Sequence, residues 1–177
     1  MNTIREIEQL GAPILRKKAA VVNDIDSIEI RQIVEAMQST LATTQGVGLA
    51  APQISESKRI IIVASRPTSR YPSAPQMEPT IMFNPSFQAL SNDKEKDWEG
   101  CLSIPGIRAL VPRYKDIMIH YSDQQGQPVE LKLNEFVARV FQHEYDHLEG
   151  KVYLDRVEDN QDIFAESEYL KIQAPRL

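Results

Sequence analysis

The sequence predicts an α+β fold in which antiparallel or mixed β-sheets pack around a central helix. Short segments with alternating or β-branched apolar residues occupy the middle of the chain, and helical patterns lie before and after them. The central helix is the one that contains His-Glu-x-x-His at 143–147. We expect one further helix near the N-terminus and a short helix near the C-terminus. No repeat or linker divides the 177 residues, which predicts a single domain over residues 1–177.

The segment up to about Val22 is predicted to be an N-terminal arm with a short helical turn after Pro13. Asp26 is followed three residues later by Glu29, a spacing that resembles a capping box and predicts the start of a helix. The apolar residues of that helix are spaced to form one face, which indicates a packing role. These residues are Ile30, Ile33, Val34, Met37 and Leu41.

The segment from Gly46 to Gln53 is predicted to form a tight turn. Its two glycines and two alanines allow a second backbone, or a ligand, to approach closely. Pro52 would end a helix or a central strand. A phosphate-binding loop is not expected, because the segment lacks Gly-Lys-Ser/Thr and follows a helix rather than a strand.

The middle of the chain is predicted to be mostly strands. Lys58 to Ser65 has the short, β-branched pattern of a buried strand, and the proline-rich residues 66–79 indicate an exposed loop. Further predicted strands are Thr80–Leu90, interrupted at Asn84-Pro85, then Ile107–Val111, Asp116–Tyr121 and Val129–Leu133, with a charged turn at 91–97 and a hairpin turn at 123–126. Asn134 is predicted to cap the His-Glu-x-x-His helix, Gly150 to end it, and a last helix to lie near 159–172.

Composition narrows the class of protein. The net charge is −5 and the pI about 5.3, so we expect no broad nucleic-acid-binding surface. The longest purely apolar run, Ile60–Ala64, is too short to span a membrane. The first eight residues resemble neither a signal peptide nor a transit peptide, although an organellar origin with a removed presequence stays open. The one cysteine, Cys101, fits a reducing compartment, and we expect a cytoplasmic protein.

The motif at 143–147 is typical of a catalytic metal site. Residues four apart lie on one face of a helix, so His143 and His147 can bind one metal ion between them. Glu144 is rotated about 100° from His143, where a carboxylate can take a proton from metal-bound water. A His pair on a helix is often simply exposed on the protein surface and binds no metal. Here the flanking residues are apolar on more than one side, which indicates a buried helix whose polar groups need compensation.

A catalytic site of this kind commonly has three protein ligands and one open position. The residues alone leave several candidates for the third ligand. These are Cys101, His120, Glu149, Asp155 and Glu158. We favour Cys101 modestly, because it lies in a Gly/Pro-rich segment where a side chain can be aimed and its thiolate binds soft divalent ions. The alternative for Cys101 is a buried, inert thiol.

Three segments together resemble the three sequence motifs of the peptide deformylase family, in the order in which that family carries them. They are Gly46-Val47-Gly48-Leu49-Ala50-Ala51-Pro52-Gln53, Glu99-Gly100-Cys101-Leu102-Ser103 and Gln142-His143-Glu144-Tyr145-Asp146-His147. The family removes the formyl group from the N-terminal formyl-methionine of new polypeptides. The resemblance implies that Cys101, His143 and His147 bind one divalent metal with water at the fourth position. It also implies that the ion is usually Fe²⁺, for which Zn²⁺, Ni²⁺ or Co²⁺ can substitute.

The resemblance also implies roles for other residues. Glu144 would take the proton of the metal-bound water, which attacks the formyl carbon, and then pass it to the leaving amine. The Gln53 side-chain amide and the Leu102 backbone N–H would stabilise the oxyanion. The peptide would lie along Val47 and Gly48 as an added strand. Arg108 would lie near the substrate backbone, and Val47, Phe136 and Val140 would form the methionine pocket, although each of these three fits a plain core position equally well.

Two departures from the family pattern bear on this interpretation. Arg139 stands among apolar helix residues where other members often carry an aliphatic one, and the methionine pocket proposed above would be wrong if it faces that pocket. The stretch 157–168 is acidic, so ribosomal contact through a basic C-terminal helix, known in some members, is doubtful here.

Rival hypotheses are a zinc endopeptidase and a non-catalytic metal-binding protein. Neither requires Cys101 in its Gly-Cys-Leu context together with Gln53, and a structural site would more often have four protein ligands.

Overall fold

The computed structural model describes residues 3–68 and 71–173, and the α+β prediction is confirmed within them. Two antiparallel sheets and three α-helices make up the described part of the chain. The helices are α1 (Ile28–Ala42), α2 (Glu135–Leu148) and α3 (Glu166–Gln173). The strands are β1 (Gly48–Ala50), β2 (Ile60–Ser65), β3 (Met77–Ala89), β4 (Lys94–Cys101), β5 (Ile104–Tyr114), β6 (Asp116–Ser122), β7 (Pro128–Asn134) and β8 (Ile163–Ala165).

The larger sheet has the order β1-β2-β3-β6-β7 and packs between α1 and α2. Every residue of β2 is buried, as its continuous apolar sequence predicts for a strand covered on both faces. Ile60 and Ile62 join the apolar cluster that contains the α1 residues, whereas Ile61 and Val63 join the cluster that contains the α2 residues. The alternation of side chains along β2 therefore holds the two helices on opposite faces of one sheet.

The smaller sheet has the order β4-β5-β8 and supports the loop that carries Cys101. The β4–β5 hairpin pairs from Lys94 opposite Tyr114 down to Cys101 opposite Ile104, with an irregularity between Glu99 and Cys101. Its apolar residues form a third, smaller cluster with Val152 and Tyr153, which follow α2 in the chain. The hairpin is thereby held against the C-terminal end of α2.

Several local predictions are confirmed. A 3₁₀ turn spans Pro13–Arg16, and β3 changes register between Phe83 and Ser86, where Asn84 has a φ of 50°. The hairpin turn between β6 and β7 closes through a bond from the Gly126 N–H to the carbonyl oxygen of Asp123. Gly150 ends α2 with a φ of 70°. A side chain there would meet the backbone of Arg16, so only glycine fits the N-terminal arm against this helix end.

The predicted cap of α1 is wrong, and that of α2 is correct in position only. Ser27, not Asp26, caps α1, because its hydroxyl accepts a bond from the Ile30 N–H at 3.4 Å while Asp26 lies in a turn closed by Asp24. Asn134 occupies the N-cap position of α2, as predicted, but its side chain makes no hydrogen bond to the start of the helix. The first residue of that helix, Glu135, has a φ of 48° and donates its N–H to the Lys115 carbonyl instead.

Three predicted boundaries are also wrong. The charged stretch 94–97 belongs to strand β4, whose exposed end carries the charges, so the turn is limited to residues before Lys94. The loop predicted for 66–79 ends earlier, because β3 begins at Met77, and residues 69 and 70 of that loop lie outside the described residues. The last helix begins only at Glu166, after a 3₁₀ turn and the short strand β8. No helix in the described ranges is long and apolar enough to cross a membrane.

Candidate metal centre and active site

The structure brings Cys101, His143 and His147 together. The sulfur of Cys101 and one ring nitrogen from each histidine all lie within 4.8 Å of one another. Sγ of Cys101 lies 3.4 Å from Nε2 of His147. Ligand atoms bound tetrahedrally to one ion at about 2.0–2.3 Å stand roughly 3.5 Å apart, so this separation fits a shared cation. The thiol comes from the end of β4 and the imidazoles from α2, which places the site between the two sheets.

The other candidates for the third ligand lie elsewhere, each beside a partner of its own. His120 pairs with Glu130, Glu149 with Arg59, Asp155 with Arg16 and Glu158 with Lys96. Within the described residues, the Cys-His-His set is also the only group of three or more such side chains close enough to hold a metal.

The electrostatics of this cluster favour a metal ion. Burial raises the pKa of the Cys101 thiol, but the adjacent His147 and His143 outweigh it and hold that pKa well below its usual value. Burial likewise lowers the pKa of His143, yet Cys101 and Glu99 outweigh it and raise that pKa well above its usual value. The thiolate is thus the favoured form, and a cation would take the place of the imidazole proton. One sulfur and two nitrogen donors suit a borderline-soft divalent ion.

Glu99 anchors one of the two imidazoles. Its Oε2 lies 2.9 Å from Nδ1 of His143, and both carboxylate oxygens accept bonds from Arg113, at 2.8 and 3.0 Å. Arg139 adds a further bond to Oε1 at 2.9 Å. Burial raises the pKa of this carboxyl, but Arg113 and His143 outweigh it and hold the pKa well below its ordinary value. Glu99 therefore carries the negative charge that the two guanidinium groups require.

The charge network continues from Arg113 to Asp146 on α2. Arg113 Nη1 donates to Asp146 at 2.5 Å, and Arg156 donates to the same carboxylate at 2.6 Å. Burial raises the pKa of Asp146, but Arg156 and Arg113 outweigh it and lower that pKa. Buried ion pairs of this network link β4, β5 and α2, and the partly exposed Arg156 extends it to the turn after α2.

Glu144 lies beside the cluster without taking part in the charge network. It is 5% exposed, and its Oε2 has no hydrogen-bond partner among the described residues. Burial raises its pKa to about 7, with the nearby imidazoles acting in the opposite direction. A carboxyl group with such a pKa can both accept and release a proton near neutral pH. Glu144 also contacts the backbone of Gly48, since a Cβ built there would lie 2.8 Å from its Cγ and Cδ.

Gln53 faces the same cluster from the turn after β1. Its Oε1 accepts a bond from the Ala50 N–H at 2.9 Å, which fixes the orientation of the amide. Its Nε2 then points toward Ser103 Oγ at 3.1 Å and Cys101 Sγ at 3.6 Å. The predicted tight turn is thus a short edge strand followed by a 3₁₀ turn, and it presents an amide N–H to the cleft.

All of the predicted substrate-binding residues line one cleft that opens beside this cluster. They are Val47, Gly48, Arg108, Phe136 and Val140. Gln53, Cys101, Leu102, His143 and Glu144 line the same cleft. The predicted catalytic and substrate-binding residues therefore share one cavity, whose walls come from β1, the β4–β5 hairpin and α2.

Several residues of this cleft were not predicted from the sequence as substrate-binding. Arg139 lines it together with Tyr71 and Glu166. Arg139 lines the cleft, and the methionine pocket inferred from Val47, Phe136 and Val140 stays a prediction. Its guanidinium donates at 2.7 Å to the carbonyl oxygens of Val111 and Glu95. The charge at an otherwise apolar helix position was the available signal, whereas Tyr71 and Glu166 stand in segments without any motif.

Comparisons with known proteins show which family and which folds the chain is similar to. The family model described as polypeptide deformylase matches residues 4–162. The chain is 49% identical to Peptide deformylase 2 of Nostoc sp. over 166 residues. This aligned stretch covers 94% of this chain and 93% of that protein. The class I type b peptide deformylase of Acinetobacter baumannii, solved with Met-Ala-Ser bound, is 41% identical with a TM-score of 0.85, over 89% of this chain and 100% of that one.

A second solved structure extends the likeness. A peptide deformylase from Synechococcus elongatus, in complex with actinonin, is 34% identical with a TM-score of 0.78, over 95% of this chain and 85% of that one. The stretch matched by the family model contains Cys101, His143 and His147, whereas β8 and α3 lie beyond it.

Proposed function

The chain belongs to the polypeptide deformylase family, and we propose that Cys101, His143 and His147 hold the metal on which its activity depends. It is a metal-dependent hydrolase that removes the N-formyl group from nascent peptides. The observation that carries the ligand assignment is the convergence of one thiol and two imidazoles beside a Glu144 oxygen that no described residue hydrogen-bonds. We propose that residues 1–177 act as one catalytic domain.

We propose Fe²⁺ as the resident ion, with Zn²⁺, Ni²⁺ and Co²⁺ able to replace it. The donor set of two imidazoles and one thiolate suits all four. When bound, such an ion lowers the pKa of a coordinated water toward neutrality and polarises a carbonyl oxygen. The chain's own contribution is to fix the ligands, which it does through the Glu99 bond to His143 and the arginines behind it.

Glu144 is proposed to move the proton. Its Oε2 carries no competing hydrogen bond among the described residues, so this oxygen can accept the proton of the attacking water. Because burial raises its pKa to about 7, the carboxyl can then release the proton to the leaving amine nitrogen. Position and pKa thus both suit one residue acting first as base and then as acid.

Gln53 and Leu102 are proposed to stabilise the charge that develops on the formyl oxygen. The Gln53 amide is held by the Ala50 N–H, so its Nε2–H is oriented before the substrate arrives. The backbone N–H of Leu102 lies next to Cys101 in the chain and supplies the second donor. Donors fixed in advance contribute roughly 3 kcal/mol each in comparable sites.

The peptide is proposed to add to β1 as an extended strand along Val47 and Gly48. Strand β1 is at the edge of the larger sheet, where a backbone can pair with an added chain. The methionine side chain would enter the space between Val47, Phe136 and Val140, with Arg139 at its border. The relative from Acinetobacter baumannii was solved with Met-Ala-Ser, which supports a peptide ligand of this kind.

We further propose that the enzyme acts on nascent chains in a bacterial-type cytoplasm, without ribosome docking through its C-terminal helix. Helix α3 has two acidic residues, Glu166 and Glu168, in its first turn and a single lysine, so it offers little attraction for ribosomal RNA phosphate. Any contact with the ribosome would then be transient and made elsewhere on the surface.

The decisive experiment is an anaerobic assay of formate release from formyl-Met-Ala-Ser by enzyme loaded with Fe²⁺. A parallel reaction uses an unformylated peptide with internal peptide bonds. We expect formate from the first and no cleavage of the second. Cleavage of the second peptide without formate release from the first would support the endopeptidase hypothesis instead. Loss of formate release after exposure to air, with activity retained by Ni²⁺-loaded enzyme, would support Fe²⁺ as the labile ion.

A further inference from the structure

The segment that forms β8 and α3 adds a wall to the substrate cleft. It follows the stretch matched by the family model and pairs with β5, where Phe164 is opposite Arg108. Trp98 of β4 fixes it in place, since its ring meets that of Phe164 at 5.0 Å and that of Tyr169 at 4.9 Å, both edge to face. Glu166, the first residue of α3, thereby becomes part of the cleft lining.

Arg108 is a cleft residue that this segment contacts directly. Its guanidinium donates to Glu166 Oε1 at 2.7 Å and lies 5.8 Å from the ring centre of Tyr169. On its other side it packs directly on Gly100, because a Cβ there would overlap Nη1 of Arg108. Gly100 immediately precedes Cys101, so the guanidinium lies next to the backbone of the proposed metal ligand.

The burial of Arg108 requires an anionic partner. Arg108 is 7% exposed, and its Nε has no hydrogen-bond partner among the described residues. A desolvated guanidinium is unfavourable unless a carboxylate compensates it, and Glu166 provides that carboxylate from an element outside the matched family stretch. Without Glu166, the free energy would fall if the Arg108 side chain turned toward water and away from Gly100.

We infer that Glu166 is a positioning residue that holds Arg108 against Gly100, where the guanidinium contacts the substrate backbone beyond the methionine. The inference rests on the function proposed above and assigns a role in peptide binding to the C-terminal segment. Glu166 acts through Arg108 and touches no reacting atom. Its loss is therefore expected to weaken binding of the peptide without altering proton transfer at Glu144.

The test compares Glu166→Ala with Glu168→Ala in Fe²⁺-loaded enzyme under anaerobic conditions. Glu168 belongs to the same helix, but it is exposed and pairs only with Lys171 among the described residues. For formyl-Met-Ala-Ser we expect Glu166→Ala to raise KM roughly tenfold, as for loss of one charge-assisted hydrogen bond, with kcat and metal content retained. Glu168→Ala should match the unaltered enzyme. An unchanged KM, or an equal fall in kcat for every substrate, would overturn the inference.

A double-mutant cycle separates positioning from general stabilisation. Arg108→Ala should raise KM by a similar factor, and the variant carrying both substitutions should be no worse than either alone, because the two residues act as one unit. Additive effects of the two substitutions on KM would show that Glu166 acts independently of Arg108 and would contradict the proposal. Glu166→Gln keeps an acceptor for Arg108, so it should give an intermediate KM and serves if the alanine variant folds poorly.

The experiments distinguish a wrong proposed function from a wrong positioning role for Glu166. If the unaltered enzyme releases no formate from any formyl-Met peptide, the proposed function is wrong. If it is active and Glu166→Ala has the same KM as Glu168→Ala, the function stands and only the positioning role is lost.

Discussion

Nδ1 of His143 lies 2.9 Å from Oε2 of Glu99. Since Arg113 holds the pKa of Glu99 well below its ordinary value against the effect of burial, the carboxylate can only accept a hydrogen bond. The proton of this contact therefore belongs to His143 Nδ1, and Nε2 is left to face the cluster with Cys101. A carboxylate on β4 thus selects which nitrogen of an α2 histidine would be offered to the proposed metal.

Glu99→Gln should cost both stability and metal affinity. The substitution keeps an acceptor but leaves the buried Arg113 and Arg139 without their shared negative charge. We expect the free energy of unfolding in urea to fall by about 3–5 kcal/mol, and metal affinity, measured by chelator competition, to fall about 10–100-fold. Glu130→Gln is the matched control, because Glu130 pairs with a histidine, His120, on the exposed surface. Its effect should stay within about 0.5 kcal/mol, and equal losses in the two variants would contradict the network.

Glu144→Ala should abolish most turnover while the metal stays bound. Removal of a general acid–base group lowers kcat by about 10²–10⁴-fold. Because Oε2 of Glu144 is buried without a partner among the described residues, its removal should not lower the melting temperature. Formate release, metal content and thermal unfolding measured on one preparation check all three statements. A variant that keeps full activity would show that another group moves the proton.

Gly48→Ala should damage catalysis through contact with Glu144. The added Cβ would lie 2.8 Å from Cγ and Cδ of that side chain, so the carboxylate must move. A displacement of this size typically costs roughly 100-fold in rate. Gly46→Ala should be milder, since its Cβ meets the flexible end of Leu102 at 3.1 Å and the hydroxyl of Thr44 at 3.2 Å. Equal kcat values for the two variants would argue against close contact at Gly48.

Cys101→Ser should weaken metal retention. A serine hydroxyl stays protonated near neutral pH, whereas His147 and His143 outweigh burial and lower the pKa of the Cys101 thiol. We expect affinity to fall roughly tenfold or more, because a neutral oxygen replaces a soft anionic ligand. Metal per chain after extended dialysis is the measurement. Unchanged metal content would point to a different third ligand.

Ser27→Ala should destabilise α1 more than Asp26→Ala does. Ser27 accepts the Ile30 N–H at the helix start, and loss of such a cap costs about 1 kcal/mol. Asp26 is exposed and makes a 3.5 Å pair with Arg31, which contributes little. Urea unfolding of the two variants distinguishes the cap seen in the structure from the one that the sequence suggested.

The sequence was most informative where one periodicity dominates. The His-Glu-x-x-His helix, the buried strand around Ile62 and the turn at Gly126 follow from local pattern alone. Strand β4 was missed because Lys94 to Asp97 are all exposed, so no apolar alternation marks them. The cap at Ser27 depends on the preceding turn at Asp24, which the capping-box pattern does not include.

The individual residues of the site could be predicted from the sequence, but most contacts between them could not. The convergence of Cys101 with the histidines required three motifs to be considered together, because 42 residues separate Cys101 from His143 in the numbering. The bonds from Arg113 and Arg139 to Glu99 depend on strand register and on the packing of α2 against β4, which no local pattern contains. Glu166 reaches Arg108 only because β8 pairs with β5.

The thiol belongs to the smaller sheet, while both imidazoles belong to a helix seated on the larger one. A cation bound there would act as a crosslink between two parts of the molecule that also meet through ion pairs, hydrogen bonds from α2 side chains to carbonyl oxygens of β4 and β5, and a modest apolar cluster. Stripping it with a chelator should lower the melting temperature and expose the β4–β5 hairpin to proteases. The melting temperature and protease resistance of a preparation would then depend on the fraction of chains that hold a metal, even between samples of identical sequence.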